Sequence, residues 1–485
     1  MKEKSIKINA ILNIIRVMMQ ILFPIITFPY VSRILGADNI GKVQFGNSII
    51  SYFSLIASLG ITSYAIREGA AIRNKKEKFY EFSNQVFTIN IITTAISYLL
   101  LILILFLPTK LLEYKQLILI QSISMLFTTL GVEWIYSIYE DYKYITLRSI
   151  VTQIISLLLL FIFVKNESDY YIYAIITVLA SAGTNIFNFF HVKKYCKIKL
   201  TTKMNIKKHI IPMLILFANT ISTTIYVNSD VTFLGFLASD YNVGLYSVSV
   251  KIYSIVKQLI NAITMVSLPR VVELITKKQN VEYKKLLEKI INTVTILIIP
   301  IAIGICILSN EIIIIIAGDE YIQASNSLRI LSITLIFAVI GAIFANLILI
   351  PSKKEKEFLK CTVLAAITNL ILNFIFIPYF KQDGAAFTTL ISEFLVCILL
   401  MRYSKKEYEI SKNIIKNLKQ IFIAIIPIIL MSFLKHYIDN IMLRIIIITI
   451  VSSIIYFLIL IIFKNETVNI VINELKVKIK KNNNN

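Results

Sequence analysis

Charge is what this sequence lacks most. Only 16% of its 485 residues are Asp, Glu, Lys or Arg, against about 25% in an ordinary soluble protein. That shortage excludes a soluble globular enzyme. Gly and Pro number just 13 and 9, which excludes a fibrous chain and a Gly/Pro-rich disordered one. The four cysteines (Cys196, Cys306, Cys361, Cys397) lie far apart, so neither a disulfide framework nor a paired-cysteine site follows. Three histidines, His191, His209 and His436, fall near the ends of apolar runs, and no histidine metal site is expected. No P-loop, zinc motif or Ser/His/Asp cluster is present. The reading is therefore of a non-enzyme with no catalytic residues, no cofactor and no metal.

What is there is apolar. Hydrophobic residues make up 57% of the chain and the mean hydropathy is +0.76. A membrane-crossing helix takes about 20 mostly apolar residues. Fourteen runs qualify, at roughly 9–31, 43–66, 83–107, 116–139, 144–164, 170–191, 209–237, 243–268, 287–308, 326–350, 359–379, 383–403, 418–434 and 442–463. The first is not a signal peptide, since it is too long and contains Arg16, Pro24 and Pro29. The run Glu311 to Gly318 is too short to cross and reads as a re-entrant or interfacial piece. The expected fold is an all-α polytopic membrane protein with about 14 transmembrane helices.

Lys and Arg total 50 against 28 Asp and Glu, a net charge of +22. In a soluble chain this would suggest nucleic acid; here the basic residues alternate between sides of the membrane in a strongly biased way. With the N-terminus cytoplasmic, 37 Lys and Arg fall in cytoplasmic segments, 8 in outer segments and 5 within spans. Both termini are thus expected in the cytoplasm, and no nucleic-acid partner follows.

A repeat is visible at a shift of 203 residues. Gly41 aligns with Gly244, Ile40 with Val243 and Arg67 with Arg270. Six spans, a long basic loop and six more spans repeat the same pattern, which points to a two-lobed transporter. The expected division is an N-terminal lobe at 1–200, a C-terminal lobe at 201–405, and a segment at 406–485 with two further spans and a basic tail.

Polar residues recur at helical spacing in the first two spans of each half. Asn9, Asn13, Arg16, Gln20 and Thr27 share a face of the first; Asn47, Ser51, Ser54 and Ser58 share one of the second. Asn219, Thr223, Tyr226 and Asp230 align on the seventh, and Ser247, Lys251, Ser254, Gln258 and Asn261 on the eighth. Such residues are costly in hydrocarbon unless paired or hydrated. Either they line a hydrated cavity or they join helices to one another. Arg16, Gln20, Asn47, Asn219, Lys251, Lys257 and Gln258 are the candidate cavity residues. Lys257 lies off the stripe that carries Lys251. The basic members suit an anionic group such as a phosphate or pyrophosphate. Glu133, Asp230 and Glu393, also within spans, are candidate counter-ions or ion-coupling sites.

Several segments resemble one family. Asn228 to Arg270 resembles the seventh and eighth helices of bacterial polysaccharide flippases, and "RILGADNIGKVQF" their first outer loop. Asn369 to Glu393 resembles their helix 11–12 hairpin, through Asn373, Pro378, Gly384, Ala385, Ala386, Thr389 and Glu393. "AGDEYIQASNSLRIL" resembles the lead into helix ten. The chain therefore resembles a Wzx-type flippase of the multidrug/oligosaccharidyl-lipid/polysaccharide (MOP) exporter superfamily.

That resemblance implies two pseudo-symmetric six-helix lobes in a V plus two C-terminal helices. It implies a substrate of undecaprenyl-pyrophosphate-linked oligosaccharide, turned from the inner to the outer leaflet of the bacterial cytoplasmic membrane for capsule- or O-antigen-like polysaccharide synthesis. Transport would be by alternating access through a cationic central cavity. Membrane lipids, a polysaccharide polymerase and other assembly proteins are the expected partners. The alternatives are a lipid II flippase and a cation-coupled drug exporter of the same superfamily.

Overall fold

The computed structural model describes residues 6–203 and 205–470; the side chains of 6–11, 13, 14, 17, 20, 219 and 436 lie outside that description. The chain divides into two compact units, Met1–Gly244 and Leu245–Asn485. The first contains α1 (Ile6–Ser58), α2 (Ile61–Ile72), α3 (Lys76–Leu105), α4 (Lys115–Gly131), α5 (Glu133–Ile138), α6 (Tyr142–Phe163), α7 (Tyr170–Val178), α8 (Thr184–His191), α9 (Ile206–Leu237) and the start of α10 (Asp240–Thr276). The second contains the rest of α10, then α11 (Asn280–Ile307), α12 (Ser309–Ala317), α13 (Ala324–Ile343), α14 (Glu355–Ser404), α15 (Lys412–Met431) and α16 (Ile441–Ile462). Among the described residues there is no strand, as the apolar composition predicts. In hydrocarbon every backbone N–H and C=O must be satisfied within the segment, and a helix does this alone.

The helices are apolar outward and mixed inward. On α6, Arg148, Thr152, Ser156 and Leu160 form the buried stripe while Leu147, Val151, Ile154, Ile155, Leu158 and Ile162 are exposed. On α16 the buried stripe is Ile448, Ser452, Tyr456 and Leu460. Lipid solvates the exposed face as well as a protein core would, so packing and polar contacts decide which face turns inward.

Among the described residues, eleven stretches are long and apolar enough to cross a membrane, fewer than the fourteen expected. Two of them, Ile21–Ile72 and Glu355–Ser404, are 52 and 50 residues long. A straight 50-residue helix would be about 75 Å, far beyond a hydrocarbon core of about 30 Å. The first is broken at Gly36 (φ 71°) inside α1 and at Leu59 (φ 39°) and Gly60 (φ 70°) between α1 and α2, the second at Lys381 (φ 51°) inside α14. In α14 the chain reverses there. Thr388 Oγ1 donates to Asn373 Oδ1, and a Cβ on Gly384 would lie 2.7 Å from the Phe376 carbonyl oxygen. Residues 15 apart cannot touch along one straight helix. The α4–α5 stretch is broken at Val132 (φ 38°), and its longer piece, α4, has 17 residues.

Helix α9 belongs to the first unit because buried polar contacts tie it there. His209 bridges the Tyr64 hydroxyl (2.7 Å) and Gln85 Oε1 (2.6 Å), Thr232 meets Tyr52 at 3.1 Å, and Lys110 Nζ donates to the Gly235 carbonyl at 2.5 Å. Compactness separates the chain after Gly244.

The repeat glycines meet within the first unit. A Cβ on Gly41 would lie 1.8 Å from the Asp240 carbonyl oxygen, and one on Gly244 would lie 2.0 Å from that of Ala37. The shift of 203 carries Ala37 onto Asp240 and Gly41 onto Gly244, so each copy packs its glycine on the other's carbonyl. This is the reciprocal contact of a two-fold axis, made by helices that cross backbone to backbone.

In the second unit, α12 is the short apolar helix expected between the longer ones. Its Glu311, 4% exposed, accepts from Lys435 Nζ at 3.1 Å and Arg444 Nη1 at 3.2 Å. These bonds fasten the ends of α15 and α16 to α12. Burial pushes the Glu311 carboxyl up, but bonds from the backbone, Lys435 and Arg444 outweigh it and hold the group below its ordinary value.

Two outcomes follow. Gly41→Ala and Gly244→Ala should each destabilise by about 1–3 kcal/mol, as overpacking does. Gly304→Ala, where nothing lies within 4 Å, should be neutral or stabilising in a thermal melt. Glu311→Gln should cost about 1–3 kcal/mol at pH 7, since it leaves two half-buried cations without their carboxylate. A lowered carboxyl contributes stability above its unfolded value and loses it as pH falls through the folded one. The melting difference between wild type and variant should therefore close below about pH 4.

Candidate functional site

The break at Val132 sets up the first cluster. It turns α5 away from α4 and presents Glu133 at the first position of the new helix. Glu133 Oε1 lies 3.5 Å from Arg16 Nη1 on α1, and Oε2 lies 3.1 Å from Arg148 Nη2 on α6. Arg148 is 8% exposed and also donates to the Thr184 carbonyl at 3.2 Å. Its guanidinium sits 5.8 Å and 5.7 Å from the ring centres of Tyr136 and Tyr144, which favours the cation. Among the described residues its Nε has no acceptor. Both guanidiniums carry donors in the planar fork geometry that carboxylate and phosphate oxygens match.

The second cluster lies in the other unit. Lys257 Nζ on α10 donates to Glu393 Oε1 on α14 at 2.9 Å and to the Tyr253 hydroxyl at 3.1 Å, and Tyr253 donates to the same carboxylate oxygen at 3.4 Å. Glu393 is buried. This pair is neutral and closed. Lys251, six residues earlier on the other phase of α10, is half-buried. Among the described residues it makes no hydrogen bond or ion pair.

The expected residues thus fall into distinct settings. Arg16 and Glu133 come together, and so do Lys257 and Glu393; Glu133 and Glu393 both serve as counter-ions. Asp230 is buried on α9, Asn47 is half-buried on α1, and Gln258 is exposed on α10. The side chains of Gln20 and Asn219 lie outside the described residues. Among the described residues no group of three or more His, Cys, Asp and Glu could hold a metal ion.

Arg148 was not among the sequence candidates. Its signal was present: a basic residue inside an apolar span, in line with Thr152 and Ser156. Tyr253, the third member of the Lys257 cluster, carried no comparable signal.

The family described as polysaccharide biosynthesis protein matches residues 6–275, more than half of the chain. The chain belongs to that family. It is 25% identical over 391 residues to a putative O-antigen transporter of Escherichia coli (strain K12), covering 79% of this chain and 92% of that one. It is 26% identical over 392 residues to the capsular polysaccharide biosynthesis protein CapF of Staphylococcus aureus, covering 77% and 93%. Its fold is similar to that of the lipid II flippase MurJ in an inward closed conformation, with a TM-score of 0.72, 17% identity, and 95% and 99% of the two chains covered. It is also similar to an inward-facing multidrug resistance MATE family transporter of the MOP superfamily, with a TM-score of 0.62, 14% identity, and 84% and 99% covered. The fold is shared with both of these proteins, as the sequence resemblance implied. The chain is thus a multi-pass membrane protein of the polysaccharide biosynthesis family.

The two lysines on α10 should separate in a melt. Lys257→Ala leaves the Glu393 carboxylate buried with the Tyr253 hydroxyl alone and should cost about 2–4 kcal/mol. Lys257→Ala with Glu393→Ala should recover much of that loss. Lys251→Ala breaks no pair and should stay within about 0.5 kcal/mol of wild type. Equal losses from both single lysine variants would contradict the pairing.

Proposed function

We propose that this protein is a flippase for lipid-linked saccharide, and specifically for undecaprenyl-pyrophosphate-linked oligosaccharide repeat units. It moves them from the inner to the outer leaflet of the bacterial cytoplasmic membrane by alternating access through a cationic cavity. Both termini are cytoplasmic. The lobes are 1–200 and 201–405, followed by 406–485, with fourteen crossings in all. The observation that carries this reading is Lys251, a cation inside a membrane-spanning helix that has no counter-ion among the described residues. A charge held in hydrocarbon without a partner is costly, so this cation suits a site that an anionic headgroup completes.

Family membership and the names of the relatives support the saccharide half of the substrate. In the proposed cycle the pyrophosphate neutralises Arg16, Arg148 and Lys251, while the lipid chain stays in the bilayer. Asn47, Gln20, Asn219 and Gln258 supply hydrogen bonds to the hydrated headgroup. A pyrophosphate with several sugars needs such a lined path, because burying unpaired polar groups in hydrocarbon costs several kcal/mol each, on the order of 2–7. Lys257, closed on Glu393, holds α10 to α14 and is secondary to Lys251 for transport. Product passes to a polysaccharide polymerase and other assembly proteins. A lipid II flippase is the second reading, favoured by the fold similarity alone.

The test is leaflet transfer in proteoliposomes that contain only this protein. An oligosaccharide-bearing undecaprenyl pyrophosphate should be transferred by wild type. Transfer should fall at least tenfold in Arg16→Ala/Lys251→Ala and less in Lys257→Ala. Transfer of lipid II alone would replace the reading with the second one. Transfer of neither lipid, with or without an ion gradient, would overturn both in favour of a drug exporter.

A further inference from the structure

Beside the Glu133 cluster, the first unit holds a pocket of about 80 Å³ among α1, α2, α3, α4 and α5. Its polar lining includes Ser54, Ser58, Asn90, Thr128, Glu133 and Trp134. Three of these groups already spend a hydrogen. Ser58 donates to the Leu55 carbonyl at 3.0 Å, Thr128 to that of Ser124 at 2.8 Å, and Asn90 Nδ2 to that of Ala57 at 3.0 Å. What Ser58 and Thr128 can still offer the cavity is acceptor oxygen, and Glu133 offers only acceptors, while Ser54 and Thr62 keep hydroxyls that can do either. Trp134 is the opposite. It is 3% exposed, its indole nitrogen is a donor only, and among the described residues Nε1 meets no acceptor. A buried N–H left without an acceptor costs free energy that a ligand atom can recover.

The lining therefore asks for a group that both donates and accepts. A phosphate has acceptors alone and would face the oxygens of Ser58, Thr128 and Glu133. A cation has donors alone and would leave Trp134 unsatisfied. A hydroxyl does both. The volume is worth between two and three waters at about 30 Å³ each, enough for the hydroxyl edge of one sugar ring. Glu133 belongs to both places: it holds Arg16 and Arg148, and it lines the cavity. In a glycosyl pyrophosphate the first sugar is bonded to the phosphate, so the two groups sit side by side in the same order.

We infer that this cavity is a saccharide subsite. It takes hydroxyls of the sugar next to the pyrophosphate, with Trp134 donating to a sugar oxygen and Glu133, Ser58 and Thr128 accepting from sugar hydroxyls. The inference rests on the flippase reading above and adds where the first sugar binds. Ordered water has the same hydrogen-bonding chemistry, and the comparison of lipids below separates the two.

Trp134 is the single tryptophan of the chain, so its fluorescence reports this cavity alone. Purified full-length protein in lipid nanodiscs is titrated with undecaprenyl pyrophosphate bearing one N-acetylglucosamine, and separately with bare undecaprenyl pyrophosphate. The glycosylated lipid should shift the emission maximum, and the bare lipid, which leaves water in the cavity, should not. In a radiolabelled-lipid binding assay, Trp134→Phe should raise the half-saturating concentration of the glycosylated lipid roughly five- to tenfold and leave that of the bare lipid unchanged. Equal shifts from both lipids overturn the subsite. So does no shift from the glycosylated lipid while proteoliposomes transport it, and in both cases the flippase reading stands. Absence of transport of any lipid-linked sugar overturns that reading and the subsite with it. Should Trp134→Phe fail to fold, the wild-type titration decides alone.

Discussion

A charge inside the hydrocarbon layer has to find a counter-charge, water or a ligand, and this constraint orders the interior of both units. Glu393 meets Lys257 and Tyr253; Glu311 meets Lys435 and Arg444; Glu133 meets Arg16 and Arg148. The three tie different helices. The Glu393 cluster joins α10 to α14 and is neutral. The Glu311 cluster fastens the ends of α15 and α16 to α12. The Glu133 cluster joins α1, α5 and α6, with Arg148 buried among aromatic rings.

The same economy governs the uncharged polar groups. Serine and threonine hydroxyls within the helices mostly donate to a carbonyl one turn back, as Thr152 does to Arg148 and Thr128 to Ser124. Such bonds satisfy the hydroxyl without reference to any neighbour. Where a polar group cannot do this, it reaches across to another helix, as Gln121 does to the Val43 carbonyl and Asn417 to Asn292. Trp134 can do neither at its nitrogen, and it is this failure that sets the cavity beside it apart from the helix-joining contacts around it.

Much of the fold was legible because hydropathy and charge asymmetry act along the chain. The apolar runs and the short helix at Glu311 can be read from single stretches of sequence. The repeat at Gly41 and Gly244 was a weak pattern in sequence and became a direct contact in space. The site was less legible, because pairing is a three-dimensional property. Glu133 and Glu393 could be named as counter-ions from their position in apolar runs, but nothing along the chain joins Glu133 to Arg148 or Glu393 to Lys257. The attachment of α9 to the first unit was also hidden, since it depends on His209 finding Tyr64 and Gln85 across more than a hundred residues. Helical phase did separate Lys251 from Lys257, because phase survives folding.

The crossing of α1 and the start of α10 has a kinematic consequence. Its contact is made by backbone atoms, with no side chain that could rotate aside. A screw motion by one residue would bring Ile40 or Lys42 to the place Gly41 holds, and a slide by one turn would bring Phe45 or Val248 toward it. All carry side chains where there is room for a hydrogen atom only. Translation along either helix axis is therefore blocked, whereas tilting about the contact point displaces nothing. The two glycines make the crossing a pivot, a joint with its sliding freedom removed and its rotation kept.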